Sequence, residues 1–499
     1  MNWAELTTAI LNTLAVATGV LFTVVPMAFL LAILIVRTNV VGARWAWLMI
    51  CSQLVVPLYA TVGAWSAGFG TQGWWPLSQA FVAQSQWTAL TAVTFIHSVA
   101  ALPSTVLILI LGLGWTRRSQ EELALVEGGV PNLVTRVLLP DMRVWLAAAG
   151  FWSVIPVLTE MVVTNLYQLP TLPEQIYLDI SLGSATAMTY AVSLALCMLP
   201  LLILGSALWR HLPSVAILRT QLAQHAPPRL ALGMWRAPLS AVVWFVVIGI
   251  AIVPLVNLWL KAGWEAALAV NGGLEHRWTW SRLTQTLIET GTLFTAEFKW
   301  TATLALASSS LAIGLATLLR WRGESLVLRR AVNSLCLIFI AMPGPLVAAL
   351  ISQLFLGGFV PGSDWLYDHT LLAPILAQQT RLLPLAWILV GGILSTVSTQ
   401  VRDLAAIDQL SIWSRLSIVH WRPTWRLWLT TWLLLAATSA GELSTHLLLL
   451  PPGVTTLAQR LFEFLHFGMR YQDSGLCLAL VLLGWLVAIA VWNTRTGRA

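Results

Sequence analysis

Long apolar runs alternate with short polar intervals along the whole chain. The runs fall at about 10–36, 46–68, 87–115, 144–166, 183–208, 238–260, 298–319, 331–356, 370–397, 428–449 and 475–494, each near the roughly 20 residues that a helix needs to cross a bilayer. Lipid offers no partner to a backbone N–H or C=O, so each run is predicted to be a helix. Nothing shows the short alternating strands of a β-barrel. The pattern predicts an all-α polytopic membrane protein with about eleven transmembrane helices by that length criterion. An odd number puts the two ends of the chain on opposite sides.

Composition agrees: 58% of the residues are hydrophobic and only 9% charged, which excludes an ordinary soluble domain. The net charge of +7 does not imply nucleic acid, because the basic residues are sided. Arg37, Arg44, Arg118, Arg136, Arg143, Arg210, Arg236, Arg320, Arg330, Arg402, Arg415, Arg426 and Arg495 fall in one set of loops. The alternate set carries only Lys261, Arg277, Arg282, Lys299, Arg460 and Arg470. The first set is expected in the cytoplasm. That puts the N-terminus outside and the C-terminus inside. Tryptophans such as Trp45, Trp87, Trp280 and Trp425 sit near the ends of runs, as interfacial anchors do. Cys51, Cys197, Cys336 and Cys477 lie inside apolar runs without metal-ligand spacing and read as small core residues. The stretch 261–297 is the longest outside segment and reads as a solvated cap or a contact for an external partner.

The landmarks of the first half recur in the second. Arg37 matches Arg320, Pro57 matches Pro343, Pro103 matches Pro384, Pro140 matches Pro423 and Pro170 matches Pro451, all separated by about 283 residues. Thr164-x-Leu166-x-x-Leu169-Pro170 also matches Thr445-x-Leu447-x-x-Leu450-Pro451. The expected organisation is a parallel repeat. Residues 1–208 form the first half with five spans, and 209–237 a basic, Pro-containing cytoplasmic linker. Residues 238–499 form the second half with six spans.

Two polar intervals stand out. In Ser119–Arg143, Ser119 and Glu122 have capping-box spacing, and Gly128, Gly129 and Pro131 should break the helix they start. A second short helix is expected from Asn132 to a stop at Leu138-Leu139-Pro140. Arg402–Arg426 is a weaker copy. Two such elbows on one membrane protein suggest docking of two copies of a soluble partner.

No Gly-x-x-x-x-Gly-Lys-Ser/Thr loop occurs, nor any nucleophile–base pair or metal-ligand cluster. The chain is expected to be no enzyme, to bind no cofactor itself, and to draw any ATP energy from a partner. Ionisable groups within spans are functional candidates. Glu160 and Glu442 precede Thr164 and Thr445, His446 follows Thr445, and His97 and Arg381 lie in other apolar stretches, Arg381 within Gln378-Gln379-Thr380-Arg381. The carboxylates suit a hard cation or an amine. They also suit a hydrogen-bonded structural role.

Glu122-Leu-Ala124, Gly128 and Leu138-Leu139-Pro140 resemble the EAA loop of type I ATP-binding cassette (ABC) importer permeases: Glu-Ala-Ala, a Gly four residues on, then Ile-x-Leu-Pro. The gap from Gly128 to Pro140 is one residue shorter than in that family. In the second elbow Ala405, Ala406 and Pro423 keep the register. Leu404 stands where Glu is expected, Leu410 replaces Gly and Arg422 replaces Leu. Gly441-Glu442-Leu443 followed by Pro451-Pro-Gly453-x-x-Thr456-Leu457-Ala458 looks like the end of ferric iron permeases. Glu160 through Thr171-Leu-Pro-Glu174-Gln-Ile-Tyr177 resembles the matching part of their first half. Thiamine, polyamine and phosphonate permeases share much of the architecture. The resemblance implies a permease that moves its solute by alternating access, with ferric iron as the leading solute. It implies two ATPase subunits carrying ATP and Mg, and a periplasmic binding protein. Coupling residues would be Glu121, Glu122, Ala124, Gly128, Gly129, Leu139, Pro140, Asp403, Ala405, Ala406, Leu410 and Pro423. Glu160, Thr164, Arg381, Glu442, Thr445 and His446 would line the path. An ion-gradient-driven transporter also predicts repeats and membrane carboxylates, but gives no reason for the elbows. A channel or structural protein needs neither.

Overall fold

The computed structural model describes residues 3–70, 73–74, 86–116, 118–212, 230–268, 274–322, 325–358, 361–409, 411, 414–467 and 471–496. Helix α1 (Trp3–Arg37) buries Ala9, Val16, Val20, Val24, Ala28, Leu31 and Ile35 at helical spacing and exposes its other face. Helices α2 (Ala43–Gln53) and α3 (Leu58–Phe69) meet at 109°, with Pro57 at the corner in an extended conformation. Then come α4 (Gln86–Leu113) and α5 (Arg118–Asn132). A π turn at Leu133–Leu138 leads into α6 (Leu139–Thr159). Short α7 (Val162–Leu166) and α8 (Leu172–Ser181) precede α9 (Ala187–His211), which has a π turn at Ser193–Met198.

Helix α10 (Gly233–Ala262) contains a π turn at Ile248–Ile252. Strands β1 (Trp264–Leu268) and β2 (Leu274–Trp278) pair antiparallel, Trp264 opposite Trp278. Helices α11 (Trp280–Leu293) and α12 (Thr295–Arg322) follow. A second bent pair, α13 (Leu326–Ala341) and α14 (Gly344–Leu356), turns through 112° with Pro343 at its corner. After α15 (Ser363–His369), α16 (Leu372–Leu394) and α17 (Thr399–Ile407), a π turn at Arg415–Trp421 enters α18 (Arg422–Ala440). Short α19 (His446–Leu449), α20 (Leu457–Phe467) and α21 (Gln472–Thr496) end the chain.

One core forms where α1, α4 and α6 pack together, and another where α12, α16 and α18 do. The halves are interlocked. The last helix, α21, packs on the bent pair α2–α3, while α9 packs on α13. Likewise α8 lies against α14, and α20 against α3.

The molecule is helical and carries seven helices long and apolar enough to cross a bilayer among the described residues, or nine if each bent pair is one span. The expectation was about eleven such spans by length. Runs 46–68 and 331–356 are bent at Pro57 and Pro343, because proline cannot continue a helix at ψ near 150° or 140°. Runs 370–397 and 428–449 correspond to α16 and α18, helices of 23 and 19 residues. Their polar residues leave them short of a span by composition. The runs 144–166 and 428–449 end early, at Thr159 and Ala440, because the chain leaves the helix before Glu160 and Glu442. The all-α reading also misses the hairpin β1–β2, which occupies part of the expected outer cap. Its sequence signal was present in Asn271-Gly272-Gly273 between the strands.

The first elbow breaks where expected. Gly128 and Gly129 leave the helix, and Gly129 has φ 67° and ψ −157°, a region essentially reserved for glycine. Pro140 is not a stop. The chain passes through the π turn and continues as α6, with Pro140 in its first turn, where the wider turn removes the clash between the ring and the preceding carbonyl. Leu410 and most of the linker 209–237 lie outside the described residues.

Candidate functional site

At the first elbow, the two neighbouring acids have different fates. Glu121 is 1% exposed and Glu122 is 53% exposed. Both Glu121 oxygens accept from Arg37 at 2.8 Å, and Arg37 also donates to Leu113 O and to Thr116 Oγ1 at 2.6 Å. Thr116 donates in turn to Glu121. The elbow is therefore bolted to the ends of α1 and α4. Glu122 pairs only with Arg118, one turn away. Ala124 is buried beside Glu121, while Leu123, Val126 and Val130 form an exposed apolar stripe. Leu139 is exposed as well.

The second elbow lacks the bolt. Arg320 lies over the Trp387 ring at 3.6 Å and donates to Trp387 O at 2.7 Å. Among the described residues no carboxylate forms an ion pair with it. Ala405 is buried, Asp403 is exposed, and Val401, Leu404 and Ile407 form the exposed stripe. Its turn uses Gln409 at φ 49° rather than glycine. Pro423 sits in the first turn of α18 behind its π turn, as Pro140 does in α6. The backbone of Ala406 is helical.

In the interior, the break after α6 meets the break after α18. Glu160 has an extended backbone. One of its carboxylate oxygens accepts a hydrogen bond from Ser444, and the other lies 3.6 Å from Arg381 Nη2. Arg381, on α16, is 15% exposed and Glu160 22%. The guanidinium donates through Nη1 to Ile340 O at 3.2 Å, while buried Nε and Nη2 have no hydrogen-bond acceptor. Thus a carboxylate of the first half meets a cation and a hydroxyl of the second. Gly344 lets this happen: a Cβ there would stand 2.5 Å from Ser444 Cβ.

Glu442 turns inward on its own loop, accepting from Thr445 N at 3.2 Å and Thr445 Oγ1 at 3.1 Å. His446 Nε2 lies 2.8 Å from the Gln378 amide nitrogen, which also donates to Ser439 O. Ser439 returns a hydrogen bond to Gln378 Oε1 at 2.5 Å. Tyr59 of α3 donates to Ala440 O at 3.2 Å. Of the expected path residues, Glu160 and Arg381 are brought into contact. Glu442, Thr445 and His446 form an adjoining network, and the Thr164 hydroxyl donates to its local Met161 O. His97 is buried within α4. Among the described residues no three His, Cys, Asp or Glu side chains converge as a metal-binding group. Sequence reasoning missed Ser444, Gly344, Ser439 and the Arg37–Glu121 bolt, because only contacts between distant segments give these residues meaning.

A second buried ion pair joins α10 to α21, with Lys261 Nζ 2.7 Å from Asp473 Oδ2. It lies beside the hairpin, where Trp259, Trp278 and Trp280 cluster with ring centroids 4.5–5.8 Å apart. No family model matches the chain, and no curated protein matches it.

Proposed function

We propose that the chain is the permease subunit of an ABC importer, moving its solute by alternating access between two fused, parallel halves. The observation that carries this reading is the pair of elbows. Each couples a short helix with an exposed apolar stripe to a π turn and a proline, and then to a long helix that ends at the central carboxylates. A push on α5 or α17 is thereby delivered to Glu160 or Glu442. The repeat is supported by paired detail: bends of 109° and 112° at Pro57 and Pro343. A matched hydrogen bond also occurs in each half, Leu172 N to Thr13 Oγ1 at 3.0 Å and Leu457 N to Thr301 Oγ1 at 2.9 Å.

In this reading the elbows face the cytoplasm of a bacterial inner membrane, each receiving one copy of an ATPase subunit that carries ATP and Mg. A periplasmic binding protein delivers solute to the opposite face, where the hairpin and α11 lie. Ferric iron is the solute implied by the resemblance. A bare ferric ion is repelled by Arg381 and would have to be drawn by Glu160 and Glu442 together. The guanidinium favours the phosphonate alternative over a polyamine, because arginine pairs bidentately with such oxyanions.

The test is capture of partners from the native membrane with the detergent-solubilised protein. Recovery of an ATPase, lost on Val126→Asp at the 85% exposed centre of the first stripe, supports the reading. Recovery of no ATPase with intact, folded protein overturns it in favour of an ion-driven transporter. Uptake of radiolabelled iron against a radiolabelled phosphonate then separates the solutes.

A further inference from the structure

Glu160 and Arg381 belong to different halves, and no other ion pair among the described residues joins α6 of the first half to the helices of the second. Their contact is built at a place where both main chains are broken, Glu160 just past α6 and Ser444 just past α18. Ser444 is fully buried, and it is seated against Gly344 at the corner of the bent pair α13–α14. Three elements that end or turn at this point are thus tied by one carboxylate.

The tie is loose. At 3.6 Å the Arg381–Glu160 contact is an ion pair without a hydrogen bond. Arg381 Nε and Nη2 are buried with no acceptor, a condition that folded proteins avoid. Parting the halves would let both N–H groups reach water or a solute, so this arrangement is easily opened. A permanent structural ion pair has the opposite character, as Arg37 and Glu121 illustrate with two 2.8 Å hydrogen bonds.

We propose that Glu160 and Arg381, seated on Ser444, form a charge latch that closes the path between the two halves and must part for solute to pass. This role rests on the permease reading for its purpose, but the latch itself can be tested without any partner or solute. The full-length protein carrying Ala341→Cys, a fully buried position that clusters with Ile155 and Leu201 of the first half, is placed in lipid nanodiscs and treated with a water-soluble maleimide. Labelling of the introduced thiol is read by peptide mass spectrometry, which separates it from the native cysteines.

With the latch intact, the thiol at position 341 labels slowly. Adding Arg381→Gln raises its labelling rate about tenfold, the change expected for losing one such interaction. Arg381→Lys, which keeps the charge, stays slow. Unfolding is excluded by an unchanged labelling rate at Cys197, which is buried in a separate cluster with Leu6, Ala9 and Ile176. An Arg381→Gln protein in which both thiols stay slow overturns the latch. Fast labelling at position 341 in that variant, together with failure to capture any ATPase, keeps the latch and removes the permease reading.

Discussion

At the scale of the residue, adjacent acids in one helix do opposite work. Glu121 is closed into a bolt with Arg37, and removing either partner leaves a buried charge unmatched. Glu121→Ala or Arg37→Ala is expected to cost about 3–5 kcal/mol, read as a large drop in the thermal midpoint in detergent. Glu122→Ala, which breaks an exposed pair, should change stability by no more than about 0.5 kcal/mol. A reversed order of the two effects would refute the assignment. Glycine positions separate in the same way. Gly344→Ala drives a methyl group into Ser444, so about 1–3 kcal/mol of destabilisation is expected. It should also speed labelling of a thiol placed at position 341. The EAA-like spacing drew attention to Glu122, yet the sequence offered no way to tell which acid would point inward. Arg37 reads as a basic residue on the cytoplasmic side and as a landmark of the repeat, but without a partner, because Glu121 lies on another element.

At the scale of the element, the elbows were legible from Gly128, Gly129 and Pro131, and the turn they make is the one described. Gly129→Ala forces a side chain into a conformation that glycine alone tolerates, at a cost of about 1–3 kcal/mol. Gly128 has φ −161°, so Gly128→Ala carries no such backbone strain, but its methyl group would stand 2.6–2.9 Å from the Asn132 side chain; adding Asn132→Ala should raise the melting curve of Gly128→Ala and leave that of Gly129→Ala unrelieved. The spans were legible because a bilayer demands long apolar stretches. Pro57 and Pro343 suit kinks, but the size of their bends, 109° and 112°, was not legible, since a run such as 331–356 stays apolar through Pro343 whether the chain turns slightly or sharply. Proline misled in the opposite sense at Pro140. There the helix survives, because the preceding turn widens and removes the clash between the ring and the carbonyl behind it. The hairpin was missed because the stretch 261–297 reads by its charges as a solvated cap or a partner contact, and its short strands lie outside the long apolar runs.

At the scale of the whole molecule, the sequence divided the chain into two halves but could not reveal that they exchange their final helices. With α9 on α13 and α21 on α2–α3, neither half is complete alone. Expressing residues 1–208 by themselves should give an aggregating or rapidly degraded product. Co-expression with 238–499 should restore a soluble complex in detergent, and a stable first half on its own would refute the interlock. Glu160 and Arg381 were each singled out as ionisable groups within apolar stretches, but their pairing depends on this docking and was invisible in one dimension. The Glu160→Gln, Glu442→Gln double variant should still capture an ATPase while losing uptake. Unchanged uptake would remove both carboxylates from the path.

The four π turns described within long helices each end two residues before a proline: Leu138 before Pro140, Met198 before Pro200, Ile252 before Pro254 and Trp421 before Pro423. Each wide turn accommodates one residue beyond ordinary winding, which displaces the downstream face by about 100°. A helical wheel drawn straight through Pro140 or Pro423 therefore assigns lipid-facing and inward-facing positions one residue out of step. Any scan of these helices with probes has to restart its phase at the proline, and the elbow is geared to the interior through that shifted phase.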